Sequence, residues 1–380
     1  MKAPSGQACV MIVAGEASGD QHGAKLVAEM RRSNPAIFFC GIGGKAMASA
    51  GVRILVDTAD LTVVGITEVI AKLPVVYRSL VVAKKLLQSL KPDLLILIDF
   101  PDFNLRVAAT ARKLGIPVLY YISPQIWAWR RGRVKKIGKL VSHMAVILPF
   151  EADFYSAHGI PVTFVGHPLL DRITGEEEGD AAEDSAEHTL IGLLPGSREV
   201  EIKRLLPVML DAAERMHRQD PRLKFAVSVA PTVERKMLEA MIKGRGGDGS
   251  ISLSEIPVER LFGMCRLVVA ASGTVTLQAA IAGTPMVIIY KVSQISYWLG
   301  RALIRVDHIG MINLIAGRRL VPELIQDQAT AAEISDQVFG LLSDEKRFAQ
   351  LKKDLLTAGQ LLGGPGASRR VAQIALDLMR

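Results

Sequence analysis

Asp99 and Asp102 stand on either side of Phe100 and Pro101, directly after the five apolar residues Leu94-Leu-Ile-Leu-Ile98. A carboxylate so placed can take a proton from a hydroxyl group. The apolar run reads as a short strand buried on both faces, as in a parallel sheet. Pro101 forbids its simple continuation, so both carboxylates fall at the C-terminal end of a buried strand. Open α/β sheets hold their ligands at that edge. Asp99 is the candidate base. Asp102, beside Pro101 and before Asn104, reads better as a residue that shapes the loop or starts the next helix.

Further residues with chemistry cluster in turns of the same kind. Val10–Ala14 is a buried strand, and Gly15-Glu-Ala-Ser-Gly-Asp20 is the loop after it, ahead of a helix to Met30. The loop is neither a dinucleotide fingerprint nor a P-loop, since no Lys-Ser/Thr pair follows it. Glu16 and Asp20 would repel a phosphate, so the loop suits hydroxyl recognition or base chemistry. Glu16 is the second candidate base, and Asp20 serves equally well as a helix starter. In the second half, Pro195-Gly-Ser-Arg198 leads from a strand into a helix, and Ser272-Gly273-Thr274 does the same. Such turns present backbone N–H groups and hydroxyls to an anion, and Arg198 can pair with a phosphate. Gln278 lies one turn beyond Thr274 on the same face, placed to bond a sugar beside that phosphate. Each turn alone is also an ordinary N-cap; two in one half are more specific.

Between Ser123 and Lys139 the chain carries Trp127, Trp129 and, from Arg130 on, six Lys/Arg. Aromatics beside Arg130, Arg133 and Lys136 fit an anionic headgroup or sugar phosphate with stacking faces. A nucleic-acid surface is disfavoured, because no nucleic-acid fold signature accompanies the cluster. Residues 61–91 are largely apolar, and from Pro74 on Arg78, Lys84, Lys85 and Lys91 are the only charges. Pro74 is suited to a helix start. The part after Leu80 reads as a core crossover helix. Val63–Val76, with Val64, Val75 and Val76, reads as a lipid or acyl-chain surface.

The frame that must position these residues is an alternation of strands and helices. At 380 residues, 49% hydrophobic and 22% charged, the chain exceeds one ordinary core and predicts two domains. Cys9, Cys40 and Cys265 are sparse and apolar-flanked, as reduced core thiols are, and not a metal or disulfide set. The N-terminus lacks a signal-peptide pattern, and no window reaches a spanning helix. A net charge of +8 with a mean hydropathy of +0.28 suggests an anionic partner such as a membrane surface. An acidic, aperiodic run from Thr174 to His188 marks a linker. The expected architecture is α/β: two doubly wound Rossmann-like domains facing a central cleft. Residues 1–172 form the acceptor- and membrane-facing domain, 173–188 the linker, and 189–350 the sugar-nucleotide domain. The last helices, 351–380, either stay there or cross back to the first domain.

From end to end the chain resembles the lipid-A-disaccharide synthase family. The resemblance is carried by Ala14-Gly-Glu-Ala-Ser-Gly-Asp20, Gly41-Ile-Gly-Gly44, Asp99-Phe-Pro-Asp-Phe-Asn104, Tyr121-Ile-Ser-Pro-Gln-Ile-Trp-Ala-Trp-Arg130, Arg133-Val-Lys-Lys-Ile137, Leu148-Pro-Phe-Glu151, Val165-Gly-His-Pro168, Leu194-Pro-Gly-Ser-Arg198, Ala271-Ser-Gly-Thr274 and Pro322-Glu-Leu-Ile-Gln326. It implies a GT-B hexosyltransferase of lipid A biosynthesis, cytoplasmic and peripheral to the inner membrane. UDP-2,3-diacylglucosamine would be the donor and 2,3-diacylglucosamine 1-phosphate (lipid X) the acceptor. A β-1,6-linked disaccharide and UDP would form with inversion, without an essential metal or cofactor. In that scheme Asp99, or Glu16, is the base. Ser197, Arg198, Ser272, Gly273 and Thr274 hold the diphosphate. Gln278 stands where transferases of this fold usually carry a ribose-binding Glu, and its amide bonds hydroxyls more weakly. Acyl chains would meet Val64, Val75 and Val76; Trp127, Arg130, Arg133 and Lys136 would meet the acceptor. The alternatives are a UDP-sugar epimerase, or another GT-B transferase with a lipid-linked acceptor. Oligomeric state and acyl preference stay open.

Overall fold

The computed structural model describes residues 6–58, 66–173, 189–245, 249–294, 297–298, 301 and 306–380, and only the backbone at 66–73, 131, 172 and 173. The linker 174–188 and Val64 lie outside the described residues. The chain divides into two units, 1–174 with 362–380, and 175–361.

In the first unit seven parallel strands form among the described residues. These are β1 (Cys9–Ala14), β2 (Phe38–Gly43), β3 (Arg53–Asp57), β4 (Leu94–Ile98), β5 (Val118–Tyr121), β6 (His143–Val146) and β7 (Val162–Phe164). Their order is β3-β2-β1-β4-β5-β6-β7. All side chains of β1 and β4 are buried, because helices cover both sheet faces. Helices α1 (Ala17–Ser33), α2 (Lys45–Ser49), α3 (Ile66–Leu90), α4 (Pro101–Lys113), α5 (Ile126–Trp129), α6 (Val134–Leu140), α7 (Pro149–Ser156) and α8 (Leu170–Ile173) connect or follow them. Between β1 and β4 the winding reverses, which opens a crevice at the C-terminal edge. Gly41 is obligatory beside it: a Cβ there would lie 1.8 Å from the Ile12 carbonyl oxygen.

Helix α3 starts at Ile66, so Pro74 lies inside it and not at its first position. A proline within a helix forgoes one hydrogen bond. The core contacts of Leu80, Ala83, Leu87 and Leu90 anchor the rest of the helix as a crossover between β3 and β4. Asp20 also departs from expectation. It lies in the first turn of α1, and its carboxylate accepts from the N–H groups of Gly44, Ala46 and Met47 at 2.6, 2.9 and 3.1 Å. It caps α2, the helix packed beside its own. Gly44 leaves room for it, since a Cβ would sit 2.8 Å from Asp20 Oδ2.

The second unit repeats the winding. Its strands are β8 (Leu190–Leu194), β9 (Lys224–Ser228), β10 (Ile251–Ser254), β11 (Leu267–Ala271), β12 (Met286–Tyr290) and β13 (Glu323–Ile325), in the order β10-β9-β8-β11-β12-β13. Its helices are α9 (Glu199–Gln219), α10 (Arg235–Ile242), α11 (Val258–Met264), α12 (Val275–Ile281), α13 (Met311–Ala316), α14 (Ala331–Leu342) and α15 (Glu345–Gln360). The reversal falls between β8 and β11. Helix α15 stays with this unit: Gly359 lies on the Ile281 backbone, where a Cβ would be 3.2 Å from the Ile281 Cα.

The final helix, α16 (Ala367–Leu378), belongs to the first unit, where Val371, Ala372 and Ala375 join the core under α1. Asp171 fixes its start by accepting from the N–H groups of Gly366 and Ala367 at 2.5 and 3.2 Å. Arg370 donates to the carbonyls of Val165, Gly364 and Pro365.

Candidate active site

The carboxylates Glu16 and Asp99 follow β1 and β4, the two strands that flank the reversal of the first sheet. Ala14 pairs with Ile98, so the two loops leave the sheet side by side. Asp99 and Phe100 both have φ +46°, in the left-handed region that non-glycine residues avoid. Ile122, after β5, has φ +63°. Strain of this kind persists where the surroundings over-determine it, and it concentrates at functional sites. Here the Phe100 ring occupies the space a Cβ on Gly15 would need, 2.2 Å from its Cγ. Phe103 packs on the same ring at 5.3 Å.

The Asp99 main chain is fully bonded. Its N–H donates to the Tyr121 carbonyl at 3.3 Å. Its carbonyl accepts from Asn104 Nδ2 at 2.7 Å and from the Tyr120 hydroxyl at 2.6 Å. Asn104 Nδ2 also donates to Ile98, while its Oδ1 is buried without a partner. Such an orphan costs about 1–3 kcal/mol. Burial pushes the Asp99 carboxyl up to about 6, and the charge of Glu16 pushes in the same direction. A carboxylate titrating there is charged at neutral pH yet basic enough to accept a proton.

Beyond Asp99 the chain gathers cations. Arg133 Nη2 donates to Asp102 at 2.6 Å, and Arg130 Nη1 lies 3.6 Å from the same oxygen. Asp102, in the first turn of α4, thus anchors both guanidiniums. Arg130 also stacks over the Trp129 ring at 4.1 Å. Lys136, on α6, is exposed.

Trp127 corrects the sequence reading. It is buried, its Nε1 donates to Glu151 Oε1 at 3.0 Å, and its ring meets Phe150 edge-on at 4.8 Å. The aromatic face left open is Trp129, 40% exposed. Val75 and Val76 are half-buried, and Val76 packs on the core.

Glu151, which supports Trp127 from a separate helix, is a residue the sequence reading passed over. It is 1% exposed and holds α5 through Trp127. A visible signal was the capping pattern of Leu148 with Glu three residues on, where Glu151 Oε2 accepts from the Leu148 N–H. Burial raises its carboxyl to about 7, against the lowering effect of the Trp127 and Leu148 bonds. The native state therefore keeps a proton that the unfolded chain releases at lower pH. The stability this supplies is complete below the ordinary glutamate range and is lost as pH rises through about 7. The loss is on the order of 3 kcal/mol. Glu151→Gln mimics the protonated form, so wild type should lose more thermal stability than the variant between pH 4.5 and pH 8. Parallel melting curves across that range would refute this.

In the second unit the two expected turns flank the reversal between β8 and β11. Arg198 and Thr274 occupy the N-cap positions of α9 and α12, and neither makes a side-chain cap bond. Arg198 is 74% exposed on its side chain and lies 3.3 Å from Glu201. Ser197 is exposed, and its carbonyl accepts from Thr232 at 2.8 Å. The Ser272 hydroxyl donates to the Ile309 carbonyl at 3.3 Å, and the Gly273 carbonyl accepts from Thr276 Oγ1 at 2.8 Å.

Gln278 is engaged: its Nε2 donates to Glu259 Oε1, on α11, at 2.8 Å. Pro322-Glu-Leu-Ile-Gln326 acts as a clamp. Glu323 accepts from the N–H groups of Ile309 and Gly310 and from Asn313, and Gln326 bonds both main-chain groups of Val292. This buried clamp fixes the carbonyl that Ser272 uses. Among the described residues no group of His, Cys, Asp and Glu is arranged to hold a metal ion.

Two doubly wound units, each with polar loops at its switch point, define a GT-B type protein. The fold is similar to that of UDP-GlcNAc 2-epimerase from Neisseria meningitidis (TM-score 0.64, 13% identity, 97% of this chain and 100% of that one). It is equally similar to the glycotransferase of kitacinnamycin (TM-score 0.65, 14% identity, 98% and 100%). At such identities the likeness concerns the fold alone. Residues 10–378 match the lipid-A-disaccharide synthetase family model. Lipid-A-disaccharide synthase of Geobacter sulfurreducens is 46% identical over 374 residues, 97% of each chain. The chain belongs to the lipid-A-disaccharide synthetase family, and is a hexosyltransferase of lipid A disaccharide synthesis. The epimerase alternative is not favoured.

Proposed function

We propose that the chain transfers the sugar of UDP-2,3-diacylglucosamine to the free primary hydroxyl of 2,3-diacylglucosamine 1-phosphate. The observation that carries this reading is Asp99, a half-buried carboxylate raised to about 6 at the switch point of the first unit. The acceptor oxygen attacks the donor's anomeric carbon as its proton passes to Asp99. The bond from that carbon to the diphosphate oxygen breaks, UDP leaves with the electron pair, and the configuration inverts. Glu16 keeps Asp99 basic and is the reserve base.

The donor belongs to the second unit. Arg198 and the N–H groups after β8 and β11 meet the diphosphate, with Ser197, Ser272, Gly273 and Thr274 around it. Gln278, with its partner Glu259, faces the sugar part of the nucleotide. The acceptor belongs to the first unit. Arg130, Arg133 and Lys136 meet its phosphate, and Trp129 takes over the stacking role first given to Trp127. Val75 and Val76 join the acyl contact.

No helix among the described residues is long and apolar enough to cross a membrane. Tyr77, 66% exposed, and Val82 stand on α3 beside Arg78 and Lys85, which supports a peripheral contact with anionic lipid at the inner membrane.

The test is UDP release from UDP-2,3-diacylglucosamine with and without lipid X. Release that requires lipid X, with a disaccharide 1-phosphate as co-product, is expected. Conversion of the UDP-sugar without acceptor would overturn the reading in favour of an epimerase.

A further inference from the structure

We infer that Tyr120 and Asn104 are positioning residues that hold Asp99 in its working conformation. The inference rests on Asp99 being the base. Three elements meet at one carbonyl oxygen. Asp99 follows β4, Asn104 lies in the first turns of α4, and Tyr120 lies on β5. The Asp99 carbonyl receives Asn104 Nδ2 at 2.7 Å and the Tyr120 hydroxyl at 2.6 Å. The second hydrogen of the same amide goes to Ile98, one residue earlier, at 3.2 Å.

The regular ladder ends at this point. The Asp99 N–H still reaches the Tyr121 carbonyl on β5. With φ at +46°, the following carbonyl turns away from the strand direction, and a ladder bond no longer serves it. The clamp serves it instead. Two consecutive left-handed non-glycine residues relax toward ordinary backbone unless something opposes that change. The side-chain donors of Asn104 and Tyr120 oppose it at Asp99, and the Gly15–Phe100–Phe103 packing opposes it at Phe100.

Both clamp residues are costly choices for a core. Each is 0% exposed, and Asn104 leaves its Oδ1 unpaired. Leucine or phenylalanine would fill the volume without a buried polar atom. What the polar pair supplies is a fixed direction for the Asp99 peptide, and hence for the carboxylate on it. Neither residue touches a reacting atom: the Tyr120 hydroxyl and both Asn104 hydrogens are spent on main-chain carbonyls.

The test is a double-mutant cycle on kcat for UDP release, with UDP-2,3-diacylglucosamine and lipid X as substrates. Tyr120→Phe removes one oxygen and keeps the ring. It should lower kcat about tenfold, with both KM values within about twofold. UDP binding to the second unit, measured by calorimetry, should keep wild-type stoichiometry and so count the folded protein. In an Asp99→Asn background the same change should lower kcat less than twofold, because the group it positions is gone. Asn104→Ala should behave in the same way and serves if Tyr120→Phe does not fold.

An equal factor in both backgrounds would mean a merely structural role and would overturn the inference. So would wild-type kcat in both single variants while Asp99→Asn is inactive. Wild-type kcat in Asp99→Asn itself would instead overturn the reading of Asp99 as base.

Discussion

Asp99→Asn is expected to lower kcat by about 10²- to 10⁴-fold, the range that a positioned proton acceptor supplies. KM for donor and acceptor should change little, because the substitution keeps shape and removes only basicity. The fold should survive. Asn104, Tyr120 and Tyr121 hold Asp99 by its main chain, and the Phe100 N–H that its carboxylate accepts from can also be met by an amide oxygen. A neutral amide also escapes the burial cost that raises the carboxyl to about 6.

The same assignment dictates the pH profile. The base must be unprotonated, so kcat/KM should rise with pH and level off above an apparent pKa near 6. Burial, the larger cause, stays in place when Glu16 is neutralised, and the charge of Glu16 is the second cause. Glu16→Gln should therefore move the acid limb to lower pH while leaving the plateau within a few-fold. A large loss of plateau rate in Glu16→Gln, with Asp99→Asn still active, would exchange the two roles.

Arg198→Ala is expected to lower kcat/KM for the donor by about 10²- to 10³-fold, the cost of removing one preorganised charge from a developing anion. UDP, which carries the diphosphate without the sugar, should bind correspondingly more weakly by calorimetry. Stability should not move, because the Arg198–Glu201 pair is exposed and such pairs contribute little. Arg198→Lys should restore part of the loss: the charge returns, but the two-pronged geometry on phosphate oxygens does not. Unchanged UDP affinity in Arg198→Ala would remove Arg198 from the donor site.

The residues that read correctly from the sequence did so for local reasons. Leu94-Leu-Ile-Leu-Ile98 is too apolar and too short for anything but a covered strand, and Pro101 ends it, so a carboxylate after it falls at a sheet edge. The turns at Pro195 and Ser272 carry the same signal. Trp127 failed because two tryptophans in one short turn are equivalent until packing chooses between them; Glu151, brought in by a separate helix, buries one. Pro74 failed because the core contacts of a long helix outweigh one lost hydrogen bond. Gln278 read as a free amide only because Glu259, nineteen positions earlier, could not be seen to approach it.

Composition, the period of the apolar runs and the turn residues determined the α/β class, the near-positions of the strands and the placing of Asp99, Arg198 and their neighbours in the loops that follow strands. These are properties of short stretches, governed by burial and by the backbone freedom of each residue. The tertiary structure alone decided that β1 lies beside β4, which removes Asp99 from water, sets Glu16 against it and so lifts its pKa. It also decided that Tyr120 and Asn104 close on one carbonyl, that Asp20 caps a helix other than its own, and that the last helix returns to the first unit. Each of these depends on which distant segments pack together, and a strand's sequence shows that it will be covered without showing by what.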